Sequence, residues 1–380
     1  MKANREVRAA LWPGVGSRTD DDRENPQLLE QDFREICERL GERLWLLEGS
    51  SFLIVGAAGF IPSYIVDAIA YANDHIFQKQ KCRLLCLDNF ATGTPGRLSH
   101  LEGKPWLQLI VQDICAPVAL PEPLQVDYVV HGASIPSPPV YRKYPLQTID
   151  VNVQGTRNLL EFARGRGLRS FLYLSSSEVY GDPTEDNLPT PETYRGNVST
   201  LGPRACYDES KRLAETLCLV YHRSFGVPLK IARPFNVYGP RLRLDDGRVI
   251  SDFLRDALGG DPITVLSDGS VTRSFCYVTD AVTALLWLLL SDREGDVFNV
   301  GNDQEVTVRA VAEQVNALFD PRPGLRFGRS PEPDYLADSP RRRCPDLAKL
   351  RGAFPWQPLV SLPEGLRRTI QWHRHLLRER

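Results

Sequence analysis

Ser51-Phe52-Leu53-Ile54-Val55 reads as a short buried strand that runs straight into Gly56-Ala57-Ala58-Gly59-Phe60-Ile61-Pro62, and this strand, glycine turn and helix start limit what the chain can become more than any other segment. Gly56 at the first turn position permits the tight bend, and Gly59 three residues later lets backbone approach an anion at the positive end of the helix that follows. Such a turn opens a βαβ unit that receives the diphosphate of a dinucleotide. The next apolar strand, residues 82–87, ends at Asp88, whose carboxylate is placed to accept hydrogen bonds from an adenosine ribose and to repel a 2′-phosphate. NAD is therefore expected rather than NADP. The third position of the usual Gly-x-x-Gly-x-x-Gly spacing is Pro62, early enough in the helix that its missing amide is no loss. That position normally serves close helix–strand packing, so the ring is expected to push the helix outward and weaken cofactor binding.

From residue 50 onward the pattern alternates. Strands are predicted at 51–55, 82–87, 107–111, 126–130, 171–174 and 229–232, with helices at 61–73, 150–166 and 206–225. Apolar strands between amphipathic helices call for a parallel sheet covered on both faces. The fold class expected is α/β, a Rossmann-type doubly wound parallel sheet with a smaller mixed α/β substrate-binding lobe. Ligands of such sheets sit at the carboxyl ends of the strands. Gly56, Asp88, Gly132-Ala133-Ser134, Ser175-Ser176-Ser177 and Arg233-Pro234-Phe235-Asn236 all fall at those ends.

The boundaries follow from the same texture. Residues 1–47 form an extension with an irregular stretch from Gly14 to Pro26, then an amphipathic helix marked by Leu28, Leu29, Phe33, Ile36, Leu40 and Leu44. That helix is expected to pack on the body or on a second subunit. Residues 48–235 form the Rossmann domain. Residues 236–380, richer in proline, glycine and arginine, supply most of the lobe through helices near 248–259, 278–291, 307–319 and 361–378, with the excursion 182–203 contributing.

With 380 residues the chain can bury a large core, and 42% hydrophobic with 25% charged residues is the balance of a soluble globular protein. A net charge of -2 supplies no general attraction to nucleic acid or to an anionic membrane, so anionic ligands must be held by local arginines. Eight cysteines (37, 82, 86, 115, 206, 218, 276 and 344) are scattered through core-like segments without zinc spacing. Reduced thiols in a cytoplasmic protein are the expectation, since Met1 to Asp22 lacks the apolar core of a signal peptide and no run approaches the roughly 20 apolar residues that span a bilayer.

Chemistry is carried by Leu174-Ser175-Ser176-Ser177-Glu178-Val179-Tyr180-Gly181 together with Tyr207-Asp208-Glu209-Ser210-Lys211. A tyrosine four residues before a lysine lies one helical turn away on the same face, so the ammonium favours the phenolate. A phenolate can take the proton of an alcohol whose carbon gives hydride to a nicotinamide, with a serine hydroxyl holding the alcohol oxygen. The Tyr-x-x-x-Lys spacing alone is weak, because an ordinary amphipathic helix produces it by chance. The glycine turn upstream and Glu178 give it weight.

These residues resemble the extended short-chain dehydrogenase/reductase superfamily of NAD-dependent nucleotide-sugar epimerases, dehydratases and decarboxylases, over about residues 50 to 375. Ala133 to Tyr141, Gly202 to Glu209, and Gly239-Pro240-Arg241 through Asp245 to Val249 are similar to one branch in particular, the UDP-glucuronate decarboxylases that form UDP-xylose. The resemblance implies that Tyr207 is the base, Lys211 its electrostatic partner, Ser176 the hydroxyl that orients the sugar, and Glu178 a catalytic carboxylate. It implies that Gly56, Gly59, Phe60, Ile61, Asp88, Asp113, Ile114 and Ala133 hold NAD, with Tyr207 and Lys211. Tyr141, Ser177, Asn236, Arg248, Arg273 and Arg343 are implied in binding a nucleotide sugar. No metal is implied, and a homodimer through the Tyr207 helix and its neighbour at 150–166 is.

The carboxylate separates the branches of that family. Dehydratases use an Asp-Glu pair in this loop, where this chain has Ser177-Glu178. Loss of the aspartate removes the acid that expels water, while Glu178 is left for proton handling at C5 or for destabilising a bound carboxylate by like charge. The reaction implied is NAD-dependent decarboxylation of UDP-glucuronic acid through a 4-keto acid. A nucleotide-sugar 4-epimerase or dehydratase, and a non-catalytic NAD-binding sensor or scaffold, stand as the alternatives.

Overall fold

A computed structural model describes residues 26–120, 124–329 and 339–378; the expectation for residues 14–25 lies outside them. Seven strands form one fully parallel sheet: β1 (Ser51–Val55), β2 (Arg83–Asp88), β3 (Leu107–Val111), β4 (Tyr128–His131), β5 (Ser170–Leu174), β6 (Leu229–Pro234) and β7 (Asp296–Val300). Their spatial order is β7-β6-β5-β4-β1-β2-β3, so the direction of winding reverses between β1 and β4. Crossover helices on both faces follow from the pairing, because a parallel strand needs a long return path. The doubly wound α/β architecture is thus the one the alternating pattern requires.

Each central strand is apolar on both sides because each face is covered. Phe52, Ile54, Leu84, Cys86, Tyr128, Val130 and Leu172 belong to one buried cluster. It includes α1 (Glu30–Leu40), α2 (Phe60–His75) and α4 (Val278–Leu289). Leu53, Val55, Leu85, Leu87, Val129, Phe171 and Tyr173 point to the other, against Thr156–Ala163 and α3 (Ala205–Phe225). The two-residue period of a strand sorts these side chains without further instruction.

Three elements differ from the pattern-based reading. The helix expected at 150–166 begins earlier and carries a π-turn: Pro145–Asp150 continues into Val151–Gly155 and then Thr156–Ala163 with helical backbone throughout. Within the π-turn, fully buried Asn152 accepts from Ser134 Oγ at 2.7 Å and donates to Ser210 Oγ at 2.9 Å, a link that side-chain periodicity does not report. The sheet takes β7 and its covering helix α4 from beyond residue 235, because a strand laid beside β6 buries an otherwise open edge. The amphipathic helix of the extension is α1, flanked by 3-10 turns at Pro26–Leu29 and Gly41–Leu46.

The remainder forms a smaller mixed lobe. Ile263–Val265 pairs with Leu325–Phe327, and Thr272–Ser274 is flanked by Glu305–Thr307 and Arg342–Arg343. The excursion 182–203 reaches this lobe: Asp182 accepts from Arg341 N at 3.0 Å and Thr190 N donates to Cys344 O at 2.8 Å. The lobe closes with α5 (Leu362–Arg378), which returns to α1 through Arg368.

Pro62 is accommodated rather than displacing its helix. Its ring lies over Gly132 at the end of β4, where an added Cβ would come within 2.5 Å of Pro62 Cγ. The space that a third turn glycine usually provides is supplied from the strand side. Gly132→Ala is therefore expected to overpack this contact and destabilise the fold by about 1–3 kcal/mol. Pro62→Gly in the same chain should recover most of that loss, as read by urea unfolding; equal stability of Gly132→Ala and wild type would contradict the contact.

Candidate active site

Two adjoining cavities open along the carboxyl ends of the strands, one of about 220 Å³ and one of about 620 Å³. Gly59, Ala91, Gly132, Ser134 and Ile135 border both, so the two form one groove across the winding reversal. The smaller cavity is lined by Gly56, Asp88, Asp113, Ile114 and Ala133. The larger is lined by Phe60, Ile61, Tyr141, Ser176, Ser177, Glu178, Tyr207, Lys211, Asn236, Arg248, Arg273 and Arg343. Every candidate residue named from the sequence thus borders one cavity or the other.

The smaller cavity has the features a dinucleotide's adenosine half requires. Gly56 takes φ +76°, and a Cβ there would lie 2.6 Å from Ala133 N, so only glycine allows this approach of the turn to the β4 loop. Gly59 is the N-cap of α2, whose first amides face the groove without a side-chain cap. Asp88 accepts from Ala58 N at 2.9 Å through one oxygen and from Phe90 N at 2.7 Å through the other. Each oxygen keeps a lone pair for a ribose hydroxyl. Burial raises its pKa against those backbone donors. Asp113 is fixed by Asn89 Nδ2 at 2.9 Å and by Cys115 N at 2.8 Å. The residues present therefore fit NAD.

In the larger cavity the serine loop leaves β5 and turns at once into a 3-10 turn, Ser177–Tyr180, capped by Ser176 Oγ accepting from Glu178 N at 3.2 Å. Tyr207 and Lys211 enter from α3, one turn apart as their spacing requires. Burial pushes the Tyr207 phenol up to about 12, opposed by a hydrogen bond with Ser176 and helped by the charges of Glu178 and Asp208. Burial likewise pulls Lys211 down to about 7, opposed by Cys218 and Glu215. Its Nζ donates to Leu174 O at 2.8 Å and lies 6.0 Å from the centre of the Tyr207 ring. Burial thus acts against the charged form of both groups. Tyr141 stacks on Tyr207 with ring centres 5.3 Å apart and 12° between planes.

Glu178 is the electrostatic centre. It accepts from Arg204 and from both terminal nitrogens of Arg343, the Nη2 bond being 2.9 Å. Burial would raise its carboxyl, yet the two arginine charges and their hydrogen bonds hold it down at about 2. Two guanidinium groups thus offset the negative charge that the like-charge reading of this loop left bare, with Asp208 3.8 Å from Arg204 as a second carboxylate. Arg248 pairs with Asp246. Arg273 donates to Thr272 O at 2.7 Å, to Arg341 O at 3.2 Å and to Ser339 Oγ at 3.2 Å. Burial and then Arg343 lower it to about 10, against the opposing charges of Glu178 and Asp182. Asn236 stands at φ +37° with Nδ2 donating to Ser274 O at 2.9 Å.

Sequence reasoning passed over Arg204, Asp246 and Arg97. Arg204 carried a signal, its four-residue spacing to Asp208, which lies 3.8 Å away on the same turn. Arg97 carried none: it comes from the short helix Gly96–Ser99 after β2 and donates to Ala58 O at 2.9 Å inside the glycine turn.

The description "NAD dependent epimerase/dehydratase family" matches residues 52–301. UDP-glucuronic acid decarboxylase 1 of Arabidopsis thaliana is 43% identical over 318 residues, 84% of this chain and 68% of that protein. UDP-glucuronic acid decarboxylase 1 of Xenopus tropicalis is 36% identical over 387 residues, 96% of this chain and 86% of that protein. Among solved structures, UDP-glucuronic acid 4-epimerase from Bacillus cereus, in complex with UDP-glucuronic acid and NAD, matches with a TM-score of 0.72 at 26% identity, over 86% of this chain and 99% of that chain.

The depressed carboxyl makes a pH prediction. Glu178 titrates near 2 in the folded chain and near 4.5 when unfolded, so its stabilising contribution is complete above about pH 4.5 and is lost as pH falls through the folded value. Glu178→Gln should be less stable than wild type at pH 7, with the gap narrowing between pH 4.5 and 2.5 in denaturant titrations. A gap that stays constant would show that the two arginines do not act on the carboxylate.

Proposed function

The chain belongs to the NAD dependent epimerase/dehydratase family, and from that footing we propose that it decarboxylates UDP-glucuronic acid to UDP-xylose. Its cofactor is NAD. The observation that carries the reading is the run of curated relatives at 40–43% identity over more than four fifths of this chain, all described as UDP-glucuronic acid decarboxylases. Gly56, Gly59, Phe60, Ile61, Asp88, Asp113, Ile114 and Ala133 are the residues we assign to NAD. Held by these residues, NAD would supply a reversible acceptor for the C4 hydrogen and its electron pair, so the reaction would show no net redox change.

The chain's own groups do the rest. Tyr207 accepts the C4 hydroxyl proton and Ser176 holds the same oxygen. Oxidation at C4 leaves a ketone β to the carboxylate. The bond between C5 and the carboxyl carbon then breaks, CO2 leaves, and its electron pair passes to the C4 oxygen. Tyr207 and Ser176 donate to that oxygen where negative charge develops. A proton from water takes the place of the lost carboxyl group on C5, and Tyr207 gives its proton back to the C4 oxygen. Arg343 and Arg204, sharing Glu178, supply the positive field that receives the uronate, while Asn236, Arg248 and Arg273 are assigned to the nucleotide diphosphate and Tyr141 and Ser177 to the sugar side.

We also assign a homodimer to this family member. The outer faces of α3 and of Pro145–Asp150 carry Leu213, Val220, Leu146 and Ile149 at 47%, 48%, 70% and 39% exposure, side chains that a monomer gains nothing by leaving wet. The eight free thiols fit a reducing compartment, for which the cytoplasm is proposed. Among the described residues no helix is long and apolar enough to cross a membrane.

Incubation with UDP-glucuronate and NAD should release CO2 and give a pentose nucleotide by mass; a product that keeps its carboxylate would instead identify a 4-epimerase. Tyr207→Phe is expected to lower turnover by about 10²–10⁴-fold with UDP binding nearly intact. Near-normal turnover would remove Tyr207 from the base role. Leu213→Glu should convert the dimer to a monomer in sedimentation velocity, whereas an unchanged sedimentation coefficient would place the subunit contact elsewhere.

A further inference from the structure

The amino-terminal helix lies outside the stretch that the family description matches, yet it is joined to the cofactor turn by a short chain of contacts. Phe33 of α1 meets the edge of Tyr64 on α2 at 5.7 Å between ring centres, and Tyr64 meets Phe60 at 6.0 Å. Phe60 is the first residue after the Gly59 cap. The guanidinium of Arg241 lies 5.9 Å from the Phe33 ring centre and 5.5 Å from that of Tyr64. Arg241 is wholly buried and pairs with Asp67 of α2 at 2.6 Å. Its backbone oxygen accepts from Arg97, whose other terminal nitrogen donates to Ala58 O.

The helix is firmly seated. Arg39 pairs with Asp280 at 2.6 Å, and Arg43 donates to Leu290 O at 2.9 Å. Asp32, buried, accepts from Tyr277 Oη at 2.9 Å, Tyr64 Oη at 3.2 Å and Arg368 Nη1 at 3.0 Å. An element tied to α4 and α5 on one side thus bears on the outer face of α2 on the other.

We infer that α1, through Phe33 and Arg241, is a positioning element of the NAD site: it fixes Arg97 on the Ala58 carbonyl and so holds the turn Gly56 to Gly59 in its receiving shape. The inference rests on the assignment of that turn to NAD. Ala58 is the point of leverage, since its amide donates to Asp88 while its carbonyl accepts from Arg97. A turn pinned at both ends of one residue offers its amides to a diphosphate without first having to order, which favours binding. Arg97 is a cation that borders the groove, and α1 sets where it stands.

The test uses the full chain stripped of nucleotide. NAD and UDP affinities are measured by titration calorimetry for wild type, Phe33→Leu, Arg97→Met and the double variant, with melting temperatures alongside. Phe33→Leu keeps an apolar side chain on α1 and removes only the ring. It is expected to weaken NAD by about tenfold, the usual order of coupling between separated sites, with UDP affinity within about twofold of wild type. In the Arg97→Met background the same change should add little, because the two act through one path. Three results would overturn the inference: unchanged NAD affinity, equal weakening of NAD and UDP, or full additivity of the two substitutions. A wild-type chain that binds UDP but not NAD would instead remove the assignment of the turn to NAD on which the inference rests.

Discussion

One carboxylate holds the parts of this site together. Glu178 stands on the loop after β5, Arg204 at the entrance to the tyrosine helix and Arg343 on a strand of the smaller lobe, so a single anion joins three segments distant in sequence. Withdrawing these charges from water is costly, and mutual attraction offsets that cost only where geometry is good and hydrogen bonds are complete. Both Glu178 oxygens are engaged by guanidinium groups. The lobe is therefore fastened to the sheet at the place where chemistry is expected, and its seating depends on the charge state of the group that the substrate's own carboxylate would approach.

Much of this was legible in the chain because it rests on local rules. The alternation of apolar strands with amphipathic helices from β1 to β6 and the glycine turn follow from the burial of a parallel sheet on both faces and from φ > 0 at Gly56, and they put Asp88, Ala133, Ser176 and Asn236 along one edge before any packing is known. Tyr207 and Lys211 followed from helical spacing. What sequence could not carry was charge balance through space. The pairing of Glu178 with two arginines offsets the negative charge expected there, and the partners lie 26 and 165 residues away. The same holds for burial: spacing placed an ammonium near a phenol, but only the packed structure shows that desolvation moves both groups toward their neutral forms.

The π-turn at Val151–Gly155 and the recruitment of β7 from beyond residue 235 have a common cause. Each satisfies a requirement of the assembled sheet that no window of sequence contains. Asn152 must turn inward to reach Ser134 and Ser210, and β6 needs a neighbour on its open side. The sheet closes by drawing on the segment that otherwise builds the lobe, so the two units share a boundary rather than being strung in series.

The contact between Pro62 and Gly132 also imposes an order on history. A proline at the start of α2 fits only over a strand residue without a side chain, whereas a glycine at the end of β4 is compatible with either residue opposite. A lineage that arrives at this pair one substitution at a time has a passable road in only one direction: the strand must lose its side chain before the helix gains its ring. The proline, once in place, makes the glycine a position that drift cannot readily revisit, while the glycine leaves the proline free to revert.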